Sequence, residues 1–135
     1  MSLEITRREL EGISILDMKG RLTFGKEDLQ LRDELEKIVQ SKDTKVVMNL
    51  SDLDQIDTTG LGTLLYVQET LQQAGGKLAL AVLKPAHIEA LTQARLGVEF
   101  QIFESDLDAV NSFFPGREVH HFDVLEFVKR KARAE

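Results

Sequence analysis

The sequence predicts an α/β fold, a single domain in which a small mixed β-sheet is packed against helices and followed by a C-terminal helical extension. Its 135 residues, 42% of them hydrophobic, are enough for one domain core. Apolar residues recur with period two in some segments and with helical spacing in others. After Gly20 the two patterns alternate, which indicates right-handed crossovers between parallel strands.

Two short N-terminal strands open the predicted sheet. Apolar residues alternate with polar neighbours on either side of Glu11 and Gly12, which predicts a hairpin with one buried face. Residues 46–50 form a nearly continuous apolar run, typical of a strand covered on both faces, so we place this strand at the centre. Two later apolar segments predict the remaining strands, at residues 78–83 and 100–103.

Apolar positions at helical spacing predict three amphipathic helices, over residues 26–40, 58–74 and 85–96. Gly75 and Gly76 end the second helix, and Pro85 suits the first turn of the third. Ser105 followed by Asp108 resembles a capping box, which predicts a short fourth helix reaching residue 113.

Pro115 and Gly116 break the chain, so we divide it into a domain at residues 1–114 and a tail at residues 115–135. The tail is predicted to be helical over residues 122–133, with one apolar face formed by Val124, Leu125 and Val128. We expect that face to cover the domain or to pair with a second copy in a homodimer. Its basic end is better explained by a favourable helix C-terminus than by membrane binding.

Composition excludes several classes of function. A formal net charge of -6 argues against a nucleic-acid partner, which would need basic residues to neutralise phosphates. The absence of cysteine excludes disulfides, thiolate catalysis and zinc-thiolate sites. The chain shows no apolar run near the ~18 residues of a spanning helix, nor the apolar core of a signal peptide. We therefore expect a cytoplasmic protein with no membrane insertion.

Candidate metal and catalytic motifs are weak. His120, His121 and Asp123 with a remote His87 form no closed ligand set, so solvated tail residues are the better interpretation. The acidic segment that starts at Asp52 lacks the glycine and glutamate positions of an EF-hand. Neither a Gly-x-Ser-x-Gly elbow nor a phosphate-binding Gly-x-x-x-x-Gly-Lys-Ser/Thr loop occurs. We expect no metal, no cofactor and no self-contained enzyme.

The polar segment at residues 49–62 connects the central strand to the second helix, at a sheet edge where sites in α/β folds usually lie. Asp57 or Thr58 can cap the helix, while Gly60 and Gly62 leave its first turn uncovered by side chains. Free backbone N–H groups would then lie beside an exposed hydroxyl. The same residues also suit a helix cap without further function, and the spacing leaves both interpretations open.

Two motifs in this segment, at residues 50–53 and 56–62, resemble the signature of STAS domains, specifically of the bacterial anti-sigma factor antagonists. The resemblance covers about residues 3–113. It includes the turn at residues 19–23, the entry to a strand at residues 75–78 and the helix start at residues 83–85. The resemblance implies a STAS fold and a regulatory binding module.

In that family the residue after the signature aspartate is phosphorylated by an anti-sigma factor that is also a serine/threonine protein kinase of histidine-kinase-like fold, and a phosphatase reverses the reaction. The resemblance places the phosphoacceptor at Thr58, with Thr59 as the alternative. Most members carry serine at this position, and many carry aspartate where this chain has Thr23. The implied partner-binding surface consists of Asp57, Thr58, Thr59, Gly60 and Gly62, with Arg21, Thr23 and Phe24 from the turn before the first helix.

The resemblance implies a switch in which the unphosphorylated protein sequesters the anti-sigma factor and thereby frees a sigma factor. A phosphate on Thr58 would be tolerated at a helix N-terminus but would oppose docking. The alternative is a non-switching STAS subunit of a stressosome-like scaffold or of a lipid-transport ATPase complex. Nucleotide binding, reported for some relatives, is the third hypothesis.

Overall fold

The computed structural model describes residues 2–134 and contains a five-stranded sheet whose strands follow one another in chain order. The first two strands are antiparallel, and each later neighbour is parallel to the one before it. The strands are β1 (Leu3–Leu10), β2 (Ile13–Leu22), β3 (Lys45–Ile56), β4 (Lys77–Ala81) and β5 (Gln101–Phe103). The predicted mixed sheet with a central third strand is confirmed.

The helices are α1 (Lys26–Ser41), α2 (Thr58–Gln73), α3 (Pro85–Gln93), α4 (Asp106–Asn111) and α5 (Val124–Ala134). The larger core lies between one face of the sheet and helices α1, α2 and α3. A smaller core lies on the other face, where α4 packs. Among residues 2–134, every helix is too short or too polar to cross a bilayer.

Strand β2 is buried on both faces, so the predicted hairpin with one buried face is wrong for this strand. Ile13 and Ile15 belong to the smaller core together with Ala109 and Val110 of α4. Leu16, on the opposite face, belongs to the larger core. The sequence pattern could not show this because a six-residue helix, distant in the chain, supplies the second cover.

The segment at residues 50–56, predicted to be a polar turn, is the second half of β3. Its pairing with β2 continues to the Leu22 and Ile56 pair, whereas β4 pairs with β3 only as far as Asn49. Leu53 is fully buried within this polar stretch. The chain therefore passes from the last residue of β3 through one residue, Asp57, into α2.

The tail returns to the sheet and forms α5. The backbone N–H of Phe122 donates a hydrogen bond of 2.8 Å to the Ile102 carbonyl oxygen. Phe122, Val124 and Phe127 pack against the larger core. The apolar face predicted for this helix is therefore correct for Val124. Val128 is 36% exposed and lies outside the core, and the prediction is also wrong for Leu125, which is 62% exposed. Phe127 takes its place because residues three apart share a helix face. The boundary at residue 114 stays a prediction.

Replacing Phe127 tests whether α5 contributes to stability. Phe127→Ala removes a half-buried ring from the core, so the free energy of unfolding should fall by about 1–2 kcal/mol. The matched control is Leu125→Ala on the same helix, for which a change within about 0.5 kcal/mol is expected. Urea denaturation measures both variants. Equal stabilities for Phe127→Ala and the parent would show that α5 does not stabilise the domain.

Candidate functional site

Asp57 joins three parts of the chain at the point where β3 ends. One carboxylate oxygen accepts a 2.8 Å hydrogen bond from the Gly60 N–H, which caps α2. The other accepts a 3.1 Å bond from the backbone N–H of Phe24, in the turn before α1. The Asp57 N–H donates to the Leu22 carbonyl at 3.3 Å. The aspartate therefore fixes the α2 N-terminus to the β2–α1 turn, and we call this junction of residues 22–24 and 56–62 the corner.

Gly60 is buried in the corner, where no larger residue fits. A Cβ atom at this position would overlap the Leu22 carbonyl oxygen and would lie 2.9 Å from Cγ1 of Ile56. The expectation that Gly60 leaves the helical turn uncovered is therefore wrong, because β2 covers it. Gly62 is different, since it is exposed and a Cβ there would meet no atom within 4 Å.

The two threonines of the corner differ in exposure. Thr58 is exposed at the first position of α2, whereas Thr59 is only partly exposed. Two hydrogen bonds of the first helical turn run back to Asp57, from the Gly60 N–H and from the Leu61 N–H. The N–H groups of Thr58 and Thr59 precede these and lie at the positive end of the helix dipole. The arrangement can accept an anion carried by Thr58.

A shallow cleft of about 340 Å³ lies beside Thr58, between α2 and α3. The cleft is lined on one side by Ile56, Asp57, Thr58 and Leu61. The other side consists of Ala90 and Gln93 of α3 and of Ala94, which follows that helix. Helix α3 is therefore a wall of the site, a role that the sequence pattern did not indicate.

Two large apolar side chains are exposed in the turn before α1 and at the start of α1. Phe24 is 79% exposed although its backbone is held by Asp57, and Leu29 on the first turns of α1 is 61% exposed. The sequence analysis named Phe24 but missed Leu29. An apolar residue within an amphipathic helix is ordinarily assigned to the buried face, and the sequence alone did not show that Leu29 is exposed. Arg21 and Thr23, also named from the sequence, are half-buried.

Arg21 has a partner within the protein. Its guanidinium lies 3.3 Å from Glu27 of α1. The pKa of Glu27 is lowered, mainly by a hydrogen bond from its own backbone N–H and further by Arg21. Arg21 therefore helps to hold the start of α1 in the corner.

Helices α1 and α2 are braced beside this surface. The Thr63 hydroxyl donates to the Asp28 carboxylate, and Arg32 lies over the Tyr66 ring at 4.5 Å from its centroid. Asp28 and Arg32 also form an ion pair of 3.6 Å along α1. These contacts keep the exposed parts of the two helices in a fixed relation.

The histidines weighed as metal ligands lie in different surroundings. His87 is buried in α3, whereas His120 and His121 are exposed in the tail. The His121 ring packs on Phe103 with centroids 4.7 Å apart. Within residues 2–134 no group of three or more histidine or acidic side chains is arranged to hold a metal ion.

The sequence profile of the STAS domain matches residues 4–109. The Anti-sigma F factor antagonist of Paenibacillus polymyxa is 24% identical over 111 residues, which cover 82% of this chain and 94% of that protein. BtrV of Bordetella bronchiseptica, described as an anti-sigma factor antagonist, is 32% identical over 83 residues, covering 62% of this chain and 71% of that protein.

The fold is similar to that of SpoIIAA, an anti-sigma factor antagonist of Bacillus. Its unphosphorylated form has a TM-score of 0.63 at 14% identity and covers 85% of this chain and 99% of that one. Its phosphorylated form also has a TM-score of 0.63, at 16% identity, with 82% and 99% covered. At these identities the likeness concerns the fold.

The two corner glycines give a matched test of the site geometry. Gly60→Ala forces a methyl group against the Leu22 carbonyl, so unfolding free energy should fall by about 1–3 kcal/mol. Gly62→Ala meets no neighbour and should raise helix propensity, with a gain of up to about 1 kcal/mol. Urea denaturation compares the two, and a Gly60→Ala protein as stable as the parent would contradict the close packing of α2 on β2.

Proposed function

The chain belongs to the STAS domain family, and we propose that within it this protein acts as an anti-sigma factor antagonist. In this proposal the unphosphorylated protein binds an anti-sigma factor in the cytoplasm and so releases a sigma factor. Phosphorylation of Thr58 by that partner, a serine/threonine kinase, ends the binding, and a phosphatase restores it. The names of two relatives, from Paenibacillus polymyxa and Bordetella bronchiseptica, support the class of function.

The exposed hydroxyl of Thr58 at the start of α2 is the observation that carries the proposal. Asp57 already caps the helix, so Thr58 is not needed as the cap and its side chain extends into solvent. A kinase can reach it without unfolding the corner. Thr59 is the poorer acceptor because it is only partly exposed.

A phosphate on Thr58 changes docking far more than folding. It adds about 1.5 to 2 negative charges beside free backbone N–H groups, where an anion is tolerated. A partner that covers the same surface must remove the phosphate from water, which costs several kcal/mol when no cation compensates. Since about 1.4 kcal/mol is tenfold in affinity, one phosphate is enough to release the partner.

Exposed apolar side chains of the corner and of the start of α1 supply the docking energy in this proposal. Phe24 and Leu29 project from the turn before α1 and from α1 itself, and Gly62 leaves the adjacent surface of α2 open. Large apolar side chains that a partner can bury are the usual source of binding energy at an interface. The residues Arg21, Thr23 and Gly60 are buried or half-buried, and in this proposal they hold the exposed surface in place.

The first test concerns Thr58. Because Asp57 is the cap, Thr58→Ala should change stability by less than about 0.5 kcal/mol and bind the partner kinase whether or not ATP is present. Thr58→Glu should bind more weakly because its carboxylate must be desolvated, although it carries less charge than a phosphate. Thr58→Ser keeps the hydroxyl and should still be phosphorylated. Calorimetric titration with candidate kinases from the same genome, and mass mapping of the phosphosite, measure these outcomes.

Thr59→Ala and Thr59→Glu are the matched controls. If the kinase phosphorylated Thr59 and not Thr58, the phosphoacceptor would be Thr59 and the proposal of a phosphorylation switch would still hold. If neither threonine were modified and all variants bound alike, the switch would be abandoned for a non-switching STAS subunit of a scaffold or transport complex.

The second test concerns the apolar contacts. Phe24→Ala and Leu29→Ala should each weaken binding of the unphosphorylated protein by about tenfold or more, with little change in stability because both side chains are exposed. Leu107→Ala is the control, since Leu107 is 58% exposed but lies on α4, at the opposite face of the sheet. Equal losses for Leu29 and Leu107 would place the partner elsewhere.

A further inference from the structure

The second half of β3 has a strand neighbour on one side only. Pairing with β2 continues to Ile56, but pairing with β4 stops at Asn49. Most residues between Asn49 and Asp57 are exposed or half-buried, but Leu53 is fully buried, and a buried carbonyl group is rarely left without a hydrogen-bond partner. This stretch leads directly into the corner that carries Thr58.

His87 supplies such a partner. Its Nε2 lies 2.7 Å from the Leu53 carbonyl oxygen, and its Nδ1 lies 3.0 Å from the backbone nitrogen of Lys84. The Lys84 N–H can only donate and the Leu53 carbonyl can only accept. The imidazole must therefore be neutral, with its proton on Nε2.

The Nε2 bond connects the second half of β3 to the start of α3, whereas the Nδ1 bond to Lys84, the N-cap of α3, holds the ring in orientation from within its own helix. His87 is the third residue of α3 and is buried, with 3% of its surface exposed. Leu53 lies four residues before Asp57, and Ala90 and Gln93 on the following turns of α3 line the cleft beside Thr58. The imidazole thus sets the position of both walls of that cleft.

We propose that His87 is a positioning residue for the corner: its neutral ring replaces the missing strand neighbour of β3, and protonation, which turns the Nδ1 acceptor into a donor, displaces the ring and loosens the contact of α3 with β3 next to Thr58. This proposal rests on the proposed function in one respect, which is that Thr58 is the functional site near His87. A protonated ring has a donor on both nitrogens. Its Nε2–H can still donate to the Leu53 carbonyl, but its Nδ1–H would face the Lys84 N–H, so that hydrogen bond would be lost and the two N–H groups would push the ring away from its place against β3.

The surroundings favour the neutral ring near pH 7. Burial lowers the pKa of His87, and the Lys84 cation lowers it further, against opposing contributions from the Leu53 carbonyl and the Asp54 carboxylate. Lys84 and Asp54 are the charged groups that act on the ring, and they pair with each other at 3.4 Å. With the folded pKa below its ordinary value, the unfolded chain takes up the proton first. The contribution of His87 to stability is then constant above pH 6.5 and falls as the pH drops below it.

Amide hydrogen exchange of the isolated protein, followed by NMR between pH 8 and 5 and expressed as protection factors, tests this proposal without a partner. In the parent, protection of the Asp57, Gly60 and Leu61 amides, which are hydrogen-bonded in the corner, should fall about tenfold as His87 becomes protonated, while amides in the middle of α1 change less. His87→Gln keeps an acceptor and a donor but cannot titrate, so its corner should stay protected across the range. His87→Leu removes both bonds, and its corner amides should exchange about tenfold faster at pH 7.5.

The other two histidines provide the control. The double variant His120→Gln/His121→Gln should keep the full pH response of the parent. Any one of three results would overturn the proposal. The corner amides of the parent could stay equally protected down to pH 5, the double variant could lose the pH response, or the corner and α1 amides could change equally. If His87→Leu does not fold, the comparison of His87→Gln with the parent still decides. A protein that passes these tests but is never phosphorylated would contradict the proposed function and leave the positioning role intact.

Discussion

The geometry of the site depends on one carboxylate that serves two elements. Asp57 caps α2 through Gly60 and holds the turn before α1 through the Phe24 N–H. A serine or threonine cap would satisfy α2, but a hydroxyl offers no second, separated oxygen for the turn. The capped helix and the exposed Phe24 side chain are therefore placed by the same residue. The close contact of Gly60 with Leu22 allows this arrangement, because it brings α2 against the end of β2.

The uneven lengths of the strands explain why the site lies where it does. β3 has twelve residues and β4 has five, so the C-terminal part of β3 extends beyond β4 and is paired only with β2. Helix α3 occupies the space that a longer β4 would fill, and its His87 and Ala90 reach the β3 extension and the cleft. The extension of β3 ends at Asp57, which caps α2, and it packs beside α3, which lines the cleft. Thr58 therefore lies between the two.

The order and type of the main elements followed from periodicity, because amphipathic helices and continuous apolar strands leave local patterns in the sequence. The extension of β3 did not, since Ser51, Asp52 and Asp54 are exposed or half-buried and resemble a turn. The face of α5 was also misjudged, because Leu125 and Phe127 are equally apolar and only tertiary packing selects between them.

In the site, too, the residues with a local sequence signal could be predicted, and those whose role depends on distant parts of the chain could not. Asp57 and Thr58 were found because a cap and a signature are local in sequence. Leu29 was missed, and His87 was considered only as a remote metal ligand. The role of His87 arises from a contact with a strand distant in the chain, which no local pattern indicates. The Leu53 carbonyl that His87 binds lies 34 residues earlier.

Two opposing electrostatic effects decide how the fold tolerates a phosphate at Thr58. The helix dipole favours the added anion by up to about 2 kcal/mol in a well-placed N-terminal position. The Asp57 carboxylate opposes it: for two phosphate charges at about 6 Å, Coulomb's law in water gives a repulsion of roughly 1–1.5 kcal/mol. The two effects are of similar size, so folding changes little.

A docked partner alters that balance, because it excludes the water that screens the repulsion. The Asp57 carboxylate and the phosphate then interact across a medium of lower dielectric constant. Their repulsion energy is inversely proportional to that constant, so it increases. Asp57 thereby acts in both states of the proposed switch. Its hydrogen bonds hold Thr58 and Phe24 in place for docking, and its charge adds to the cost of docking once Thr58 carries a phosphate.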